Sequence, residues 1–406
     1  MMKLLFCFLF IAFGNGLFAQ DYDPSGSLLW EISTAKGKSY LFGTLHSNDK
    51  RLFNLPDSVY VSFLNSKSLA LEVNVQDLFL DKDPIPKKAN ILIDKQGRLY
   101  TASDEPTETY YGNEDGMPQF MDAWFQEKGE LLNKPIIALE SIAQQTKALE
   151  EIPFIEYEKN TTILASEKRL MHQYYLSGRI DLIDRLIKGR LFDNKEAYLK
   201  LIEKRNFALA DSIVKLANRG TVFFAIGVGH LHGEKGLVSL LRKRGCKLRQ
   251  IQLITSENSV NEKTQIQLLK NKEAVEHFGT TALKFSMPGI ARQPLIETAK
   301  EYSFIYKELG QGNTYKLTLI PRDTSLTFLE LGEILIASPQ KTSYYYGVLD
   351  DGTEYIQGLS DAYPDGIIWM RILVNEAHVL IASCSGGNKF MNSNRPFRFF
   401  DQIVLE

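Results

Sequence analysis

The sequence predicts an α/β domain, built on a mixed or mainly parallel sheet flanked by helices, followed by a smaller β-rich α+β domain. Three observations carry that expectation. Apolar strand-like runs alternate with helix-period segments up to about residue 253, the chain then turns polar over 255–276, and short strands with turn signals follow to the end. With 406 residues, 44% of them apolar, the chain is long enough for two cores.

The first element is a leader. Met1, Met2 and Lys3 precede an apolar run over 4–13, and small Ala19 comes just before acidic Asp21, the outline of a signal peptide over 1–20. The expected mature protein is periplasmic or secreted. The apolar run is short for a bilayer, and no later stretch of about 20 apolar residues occurs, so no integral membrane span is expected. Cys7 lies inside the leader, which leaves Cys246 and Cys384, one in each predicted domain, and no cysteine-rich metal pattern.

The α/β domain is expected over 21–258. Residues 27–33 and 39–46 alternate as a hairpin, Pro56 sits in the first turn of a helix reaching about Asn65, and 68–73 is a buried strand. The order strand, loop, helix, strand returns with a strand over 221–227, a helix over 234–244 stopped by Gly245, and a strand over 247–253. Each unit has the crossover form that places parallel strands side by side. Between them, 135–140 is a third apolar strand and Ser141 caps the next helix, while 154–218 is helical and the polar stretch 80–116 forms a surface insertion or lid. A linker with a short helix is expected over 259–276. The β-rich domain then covers 277–406, with seven strands starting at Ala282, Tyr302, Tyr315, Ser343, Glu354, Ile367 and His378, and a helix over 327–337.

A formal net charge of −2 gives no basic footprint, which excludes nucleic acid as the expected partner. The chemistry-bearing residues are different. Two Gly-x-x-His loops, Gly43 to His46 and Gly227 to His230, each follow an apolar strand, and Glu72 and Glu140 interrupt two further strands at their ends. Ligands of open α/β sheets bind outside the carboxyl ends of the strands, so these four side chains can share one crevice. Two imidazoles and two carboxylates suit a borderline divalent ion, Mn, Co, Zn or Fe. The glycines Gly43, Gly227 and Gly229 are expected to let the backbone turn tightly and approach a ligand. An ion there would favour hydrolysis of a peptide or small acyl substrate, with a glutamate as general base. An ion pair of Glu72 and Glu140 with Arg205 is the alternative use of the same carboxylates. His232, His172, His277 and His378 have no such context and are expected to be structural or surface residues.

These residues resemble the TraB/GumN family, which includes the TIKI proteins of animals. The resemblance rests on Tyr40 to His46 with Leu55-Pro56, on Leu71-Glu72, on Leu139 to Gln145, on Glu203 to Asn206, and on Phe224 to Gly233 followed by Leu240-Leu241 and Gly245. It covers about residues 28–253 and leaves the second domain outside. It implies a fold related to erythromycin esterases and haem-binding ChaN-like proteins. It also implies a centre of His46, Glu72, Glu140 and His230, with Arg205, Asn206 and Gln145 at supporting positions. TIKI proteins are metal-dependent proteases, so the family implies a metal-dependent, protease-like hydrolase; the ChaN relationship implies the alternative, a metal- or haem-binding protein without turnover. The 277–406 domain is expected to dock a protein or cell-surface partner.

Overall fold

A computed structural model of the chain describes residues 22–79, 91–94, 98–101, 111–114, 116, 118, 120–150, 161–190, 195–255, 272–293, 301–336, 344–349, 352–363 and 366–406. The expected signal peptide, Cys7 and most of the expected 80–116 insertion lie outside the described residues.

In the first domain, β1 (Leu29–Thr34) and β2 (Gly37–Thr44) form the expected hairpin, closed by Gly37 at φ 125°, a backbone region that other residues avoid. Helix α1 (Asp57–Asn65) leads to β3 (Ser68–Leu71). A small hairpin, β4 (Ile91–Ile93) and β5 (Leu99–Thr101), precedes α2 (Met121–Leu131), β6 (Ile136–Ala138) and α3 (Ile142–Glu150). Helices α4 (Thr161–Leu176) and α5 (Ile180–Arg190) follow. Next, α6 (Lys195–Tyr198) runs through a π turn (Leu199–Glu203) into α7 (Lys204–Ala217). Strand β7 (Val222–Gly227), α8 (Leu237–Lys243) and β8 (Lys247–Gln250) complete the domain, and Gly245 stops α8 at φ 84°.

The sheet has the order β6-β3-β7-β2-β1-β8. Strands β6, β3, β7 and β2 are parallel neighbours, and β1 runs antiparallel to both β2 and β8. The expected neighbourhoods need correction here. Strands β2 and β3 are parallel, but β7 lies between them, and β8 crosses over to the far side of β1. The reason is burial: Val222 to Ile226 are buried without interruption, the composition of a central strand covered on both faces, whereas the short β6 serves at the edge.

In the second domain, β9 (Lys272–Phe278), β10 (Thr281–Met287) and β17 (Val404–Leu405) form a three-stranded sheet in the order β17-β10-β9. A six-stranded antiparallel sheet joins β11 (Tyr302–Glu308), β12 (Asn313–Pro321), β13 (Tyr345–Val348), β14 (Glu354–Tyr363), β15 (Gly366–Val374) and β16 (His378–Ser385). The helix Phe328–Leu335 starts with a capping box between Thr327 and Glu330. The 259–276 linker therefore ends earlier than expected, because its last residues belong to β9. Lys272, Glu273 and Glu276 give that strand a linker's polarity while half-buried and exposed positions alternate along it.

The two domains pack together. Gln76 Nε2 donates to Lys307 O at 2.7 Å, Lys307 Nζ donates to Phe79 O, and Leu309 is buried in the first domain's core. The described part of the insertion is no loose lid: Ile93 is buried in the second domain's core, and Tyr111 is buried with its hydroxyl bonded to Thr314. Cys246 and Cys384 are free thiols, the former half-buried and the latter buried.

Candidate functional site

Four adjacent parallel strands end on one side of the first sheet, and each delivers one side chain there. In sheet order, Glu140 follows β6, Glu72 follows β3, His230 follows β7 and His46 follows β2. The parallel ladder itself sets Glu72 beside Glu140, since Leu139 N donates to Leu71 O at 2.9 Å and Glu140 N to Glu72 O at 2.8 Å.

Both glutamates are buried, and Arg205 bridges them. Its Nη2 lies 2.6 Å from Glu72 Oε2 and 2.6 Å from Glu140 Oε2, and its Nε donates to Glu140 at 3.0 and 3.2 Å. The ion pair weighed as an alternative from sequence is therefore formed. Arg205 follows the π turn and donates from Nη1 to Leu201 O at 3.1 Å, so this helix irregularity helps to aim the guanidinium. Gln145 Nε2 touches both carboxylates, at 3.3 and 3.5 Å. Burial works against the charge on Glu72, but Arg205 and the Gly227 N–H, which donates to Oε1 at 2.8 Å, hold its pKa below the usual carboxylate range.

His230 is buried, and its tautomer follows from Asn206. The Asn206 amide nitrogen donates to Lys235 O at 2.8 Å, which turns Oδ1 toward His230 Nδ1 at 2.6 Å; Nδ1 then carries the proton. His230 Nε2 keeps its lone pair and faces Glu72 Oε1 at 3.7 Å. Burial, with Arg205 and His46 nearby, outweighs the glutamates and lowers the His230 pKa, so the ring is neutral.

His46 stands at the open end of the row, with 66% of its side chain exposed. Its Nε2 is 3.3 Å from Asp122 Oδ2, and the ring lies on Phe120 with centroids 5.1 Å apart. Desolvation in the crevice pulls its pKa down, but Asp122 and, further off, Glu72 overcome this and raise it to about 9.

Asp122 is the residue that sequence reasoning missed. It belongs to the first turn of α2, where an acidic residue is common for helix-dipole reasons alone. Thr44 Oγ1 donates to its Oδ1 at 3.1 Å, whereas the buried Oδ2 has no hydrogen-bond partner.

The glycines act by space. Gly43, Gly227 and Gly229 all have ordinary φ, and the chain turns tightly after Gly227 in a single 3-10 turn, Val228–His230. A Cβ on Gly227 would lie 2.9 Å from Glu72 Oε1, one on Gly43 would crowd Leu231 and Val228 at 3.1 and 3.2 Å, and one on Gly229 would meet Ile187 at 2.8 Å. Of the other histidines, His172 bonds Ser47 and Asp49, and His378 bonds Thr281; His232 is half-buried outside the row and His277 is exposed.

The donor set has the chemistry of a divalent-ion site in part. As the side chains stand, no three His, Cys, Asp or Glu groups among the described residues converge on one point, and Arg205 fills the gap between Glu72 and Glu140. The other half of the row has donor atoms of the borderline kind: the His230 Nε2 lone pair beside Glu72 Oε1, and Asp122 Oδ2 beside His46 Nε2 at 3.3 Å. A cleft of about 1270 Å³ between the two domains runs up to Glu140. No helix among the described residues is long and apolar enough to cross a membrane.

No curated protein matches the chain. The model of the TraB/PrgY/gumN family matches residues 28–107 and 106–250, a span that contains every residue of the row, and the chain belongs to that family.

Proposed function

We propose that the chain is an exported, metal-dependent hydrolase that cleaves a peptide or another acyl-type bond. One observation carries the reading: four neighbouring parallel strands deliver His46, Glu72, Glu140 and His230 to one edge, with Asp122 beside His46. Export rests on the Lys3, apolar run and Ala19 pattern of the first twenty residues.

His46, Asp122, Glu72 and His230 would hold the ion, which would supply Lewis acidity toward a water and a scissile carbonyl. Asn206 fixes the His230 ring so that Nε2 faces the site. Arg205 bridges two adjacent buried carboxylates and holds them in place. A lowered pKa makes Glu72 a poor base, which suits it to holding positive charge. Glu140 lines the cleft and is the carboxylate placed to accept a proton from an attacking water.

The test is metal analysis of the purified protein, followed by peptide and ester substrates with the preferred ion. His46→Ala and His230→Ala should lose both bound ion and activity. A protein without stoichiometric ion, whose His46→Ala variant kept full activity, would refute the reading. One observation favours a second reading, a carrier of a metal or haem-like ligand without turnover: Arg205 engages both glutamates, leaving neither as an unpaired base. A Soret band on haem titration, with no hydrolysis, would select it.

A further inference from the structure

Directly after His46 the chain carries a second set of chemical groups, none of which the ion site uses. Strand β2 ends at Thr44, and Ser47 N donates to Leu45 O at 2.8 Å, a three-residue turn that carries Ser47 off the strand. Asp49 then caps the 3-10 turn Lys50–Phe53. His172 reaches both from α4, and that helix is fastened to β2 one turn later, where the Tyr175 hydroxyl donates to Gly43 O at 2.6 Å.

The three side chains are joined in a relay. Ser47 Oγ lies 2.9 Å from His172 Nε2, and His172 Nδ1 lies 3.1 Å from Asp49 Oδ2. The two ends fix the direction of the protons. Arg51 donates to Asp49 from Nε at 2.9 Å and from Nη2 at 2.7 Å and holds its carboxyl below the usual carboxylate range, so Asp49 only accepts and His172 Nδ1 carries the proton. At the other end, Asp49 N donates to Ser47 Oγ at 3.3 Å, which leaves the hydroxyl proton for the Nε2 lone pair. Burial, with Lys168 and Arg51 nearby, outweighs Asp49 and lowers the His172 pKa, so the ring is neutral.

A hydroxyl, a neutral imidazole and an ionised carboxylate in this order and at these distances are the parts of an activated nucleophile. Ser47 is 9% exposed and sits between His46 and Asn48, which are both exposed. So narrow an opening suits a short acyl group.

We propose that Ser47, His172 and Asp49 form a second, metal-independent acyl-transfer site that cleaves esters of short-chain carboxylic acids. Ser47 Oγ bonds to the acyl carbon and its proton passes to His172 Nε2, then to the leaving oxygen as the ester C–O bond breaks. Water next attacks the acyl carbon and gives a proton to Nε2. That proton returns to Oγ as the acyl–Oγ bond breaks and the acid leaves. Asp49 positions the ring and touches no substrate.

The test uses the whole mature protein in EDTA, with p-nitrophenyl acetate as substrate and a fluorophosphonate as covalent probe. A burst of about one equivalent of p-nitrophenol is expected, with the probe's mass added at Ser47 in the peptide digest. Ser47→Ala loses both, and His172→Gln slows labelling by about 10²–10⁴-fold, each with a melting temperature that shows the variant folded. In Asp49→Asn, nitrogen NMR reads a shift of His172 to the Nε2–H tautomer, and labelling slows by a similar factor. No adduct at Ser47 in the parent, a measurement that needs no variant, overturns the proposal. So does hydrolysis that EDTA abolishes, which would assign the ester to the ion site, or full labelling of a folded His172→Gln protein.

Discussion

Each domain packs an arginine against carboxylate, and the surroundings differ in kind. Arg371 in the β-rich domain is 4% exposed, donates to Gln357 Oε1 at 2.6 Å and Asp401 Oδ1 at 2.9 Å, and stacks on Tyr355 and Phe400 at 4.5 and 5.3 Å. Its one carboxylate partner is largely in solvent. Arg205 in the α/β domain meets two buried carboxylates, beside two imidazoles and the Asp122 carboxylate. Charge held within the packing is therefore common to both domains, while two imidazoles and three carboxylates gather at the carboxyl ends of the parallel strands alone. The second property marks chemistry.

The contrast breaks most directly through activity. His230→Ala removes the one neutral, fully oriented imidazole and should lower kcat/KM by about 10³-fold, the scale of losing a preorganised electrostatic partner at a reacting centre. Arg371→Met should leave kcat/KM within about twofold. Equal losses in the two would show that the contrast carries no functional meaning.

Stability sharpens it next. Arg205→Met strands Glu72 and Glu140 without their shared cation, at a cost of about 3–5 kcal/mol in urea unfolding. Arg371→Met should cost less, about 1–2 kcal/mol, because an apolar chain can lie between Tyr355 and Phe400 and Asp401 is free to hydrate. Asn206→Ala comes third: loss of the bond that fixes the His230 tautomer should weaken ion binding by about 10–100-fold in a metal titration, with little shift in melting temperature.

Much of this contrast is legible in the sequence, for a local reason. His46, Glu72, Glu140 and His230 each end or interrupt an apolar run, and a strand's carboxyl end is a property of its own few residues. Sheet order is not local. Nothing near β2 or β3 says that β7, some 150 residues later, lies between them, so the adjacency of Glu72 and His230 emerges only in the fold. Asp122 is hidden for another reason: in the first turn of a helix an acid has an ordinary explanation, and only packing against Thr44 and His46 gives it another. The glycines show the same limit, since their spacing is visible but the neighbour each must avoid is not. Strand β9 was obscured by charges that read as linker although its burial alternates with period two.

The smallest expected effect is one of pH, and its sign separates two roles of His46. Its pKa in the folded metal-free protein is raised from 6.5 to about 9, so folding holds the proton more tightly than the unfolded chain does. The resulting stability is fully present below about pH 6.5, declines as the pH rises, and is gone above about 9. Because the side chain is 66% exposed, screening keeps the amplitude at about 1 kcal/mol or less. An ion requires the same nitrogen unprotonated, so ion affinity should rise with pH over the same window. Urea unfolding of the metal-free protein between pH 6 and 10 should therefore show stability falling while metal titrations show affinity climbing, and His46→Gln should flatten both. If only the stability slope flattened, His46 would be a partner of Asp122 and no ligand, and the site would contract to Glu72, His230 and the Asp122 oxygen.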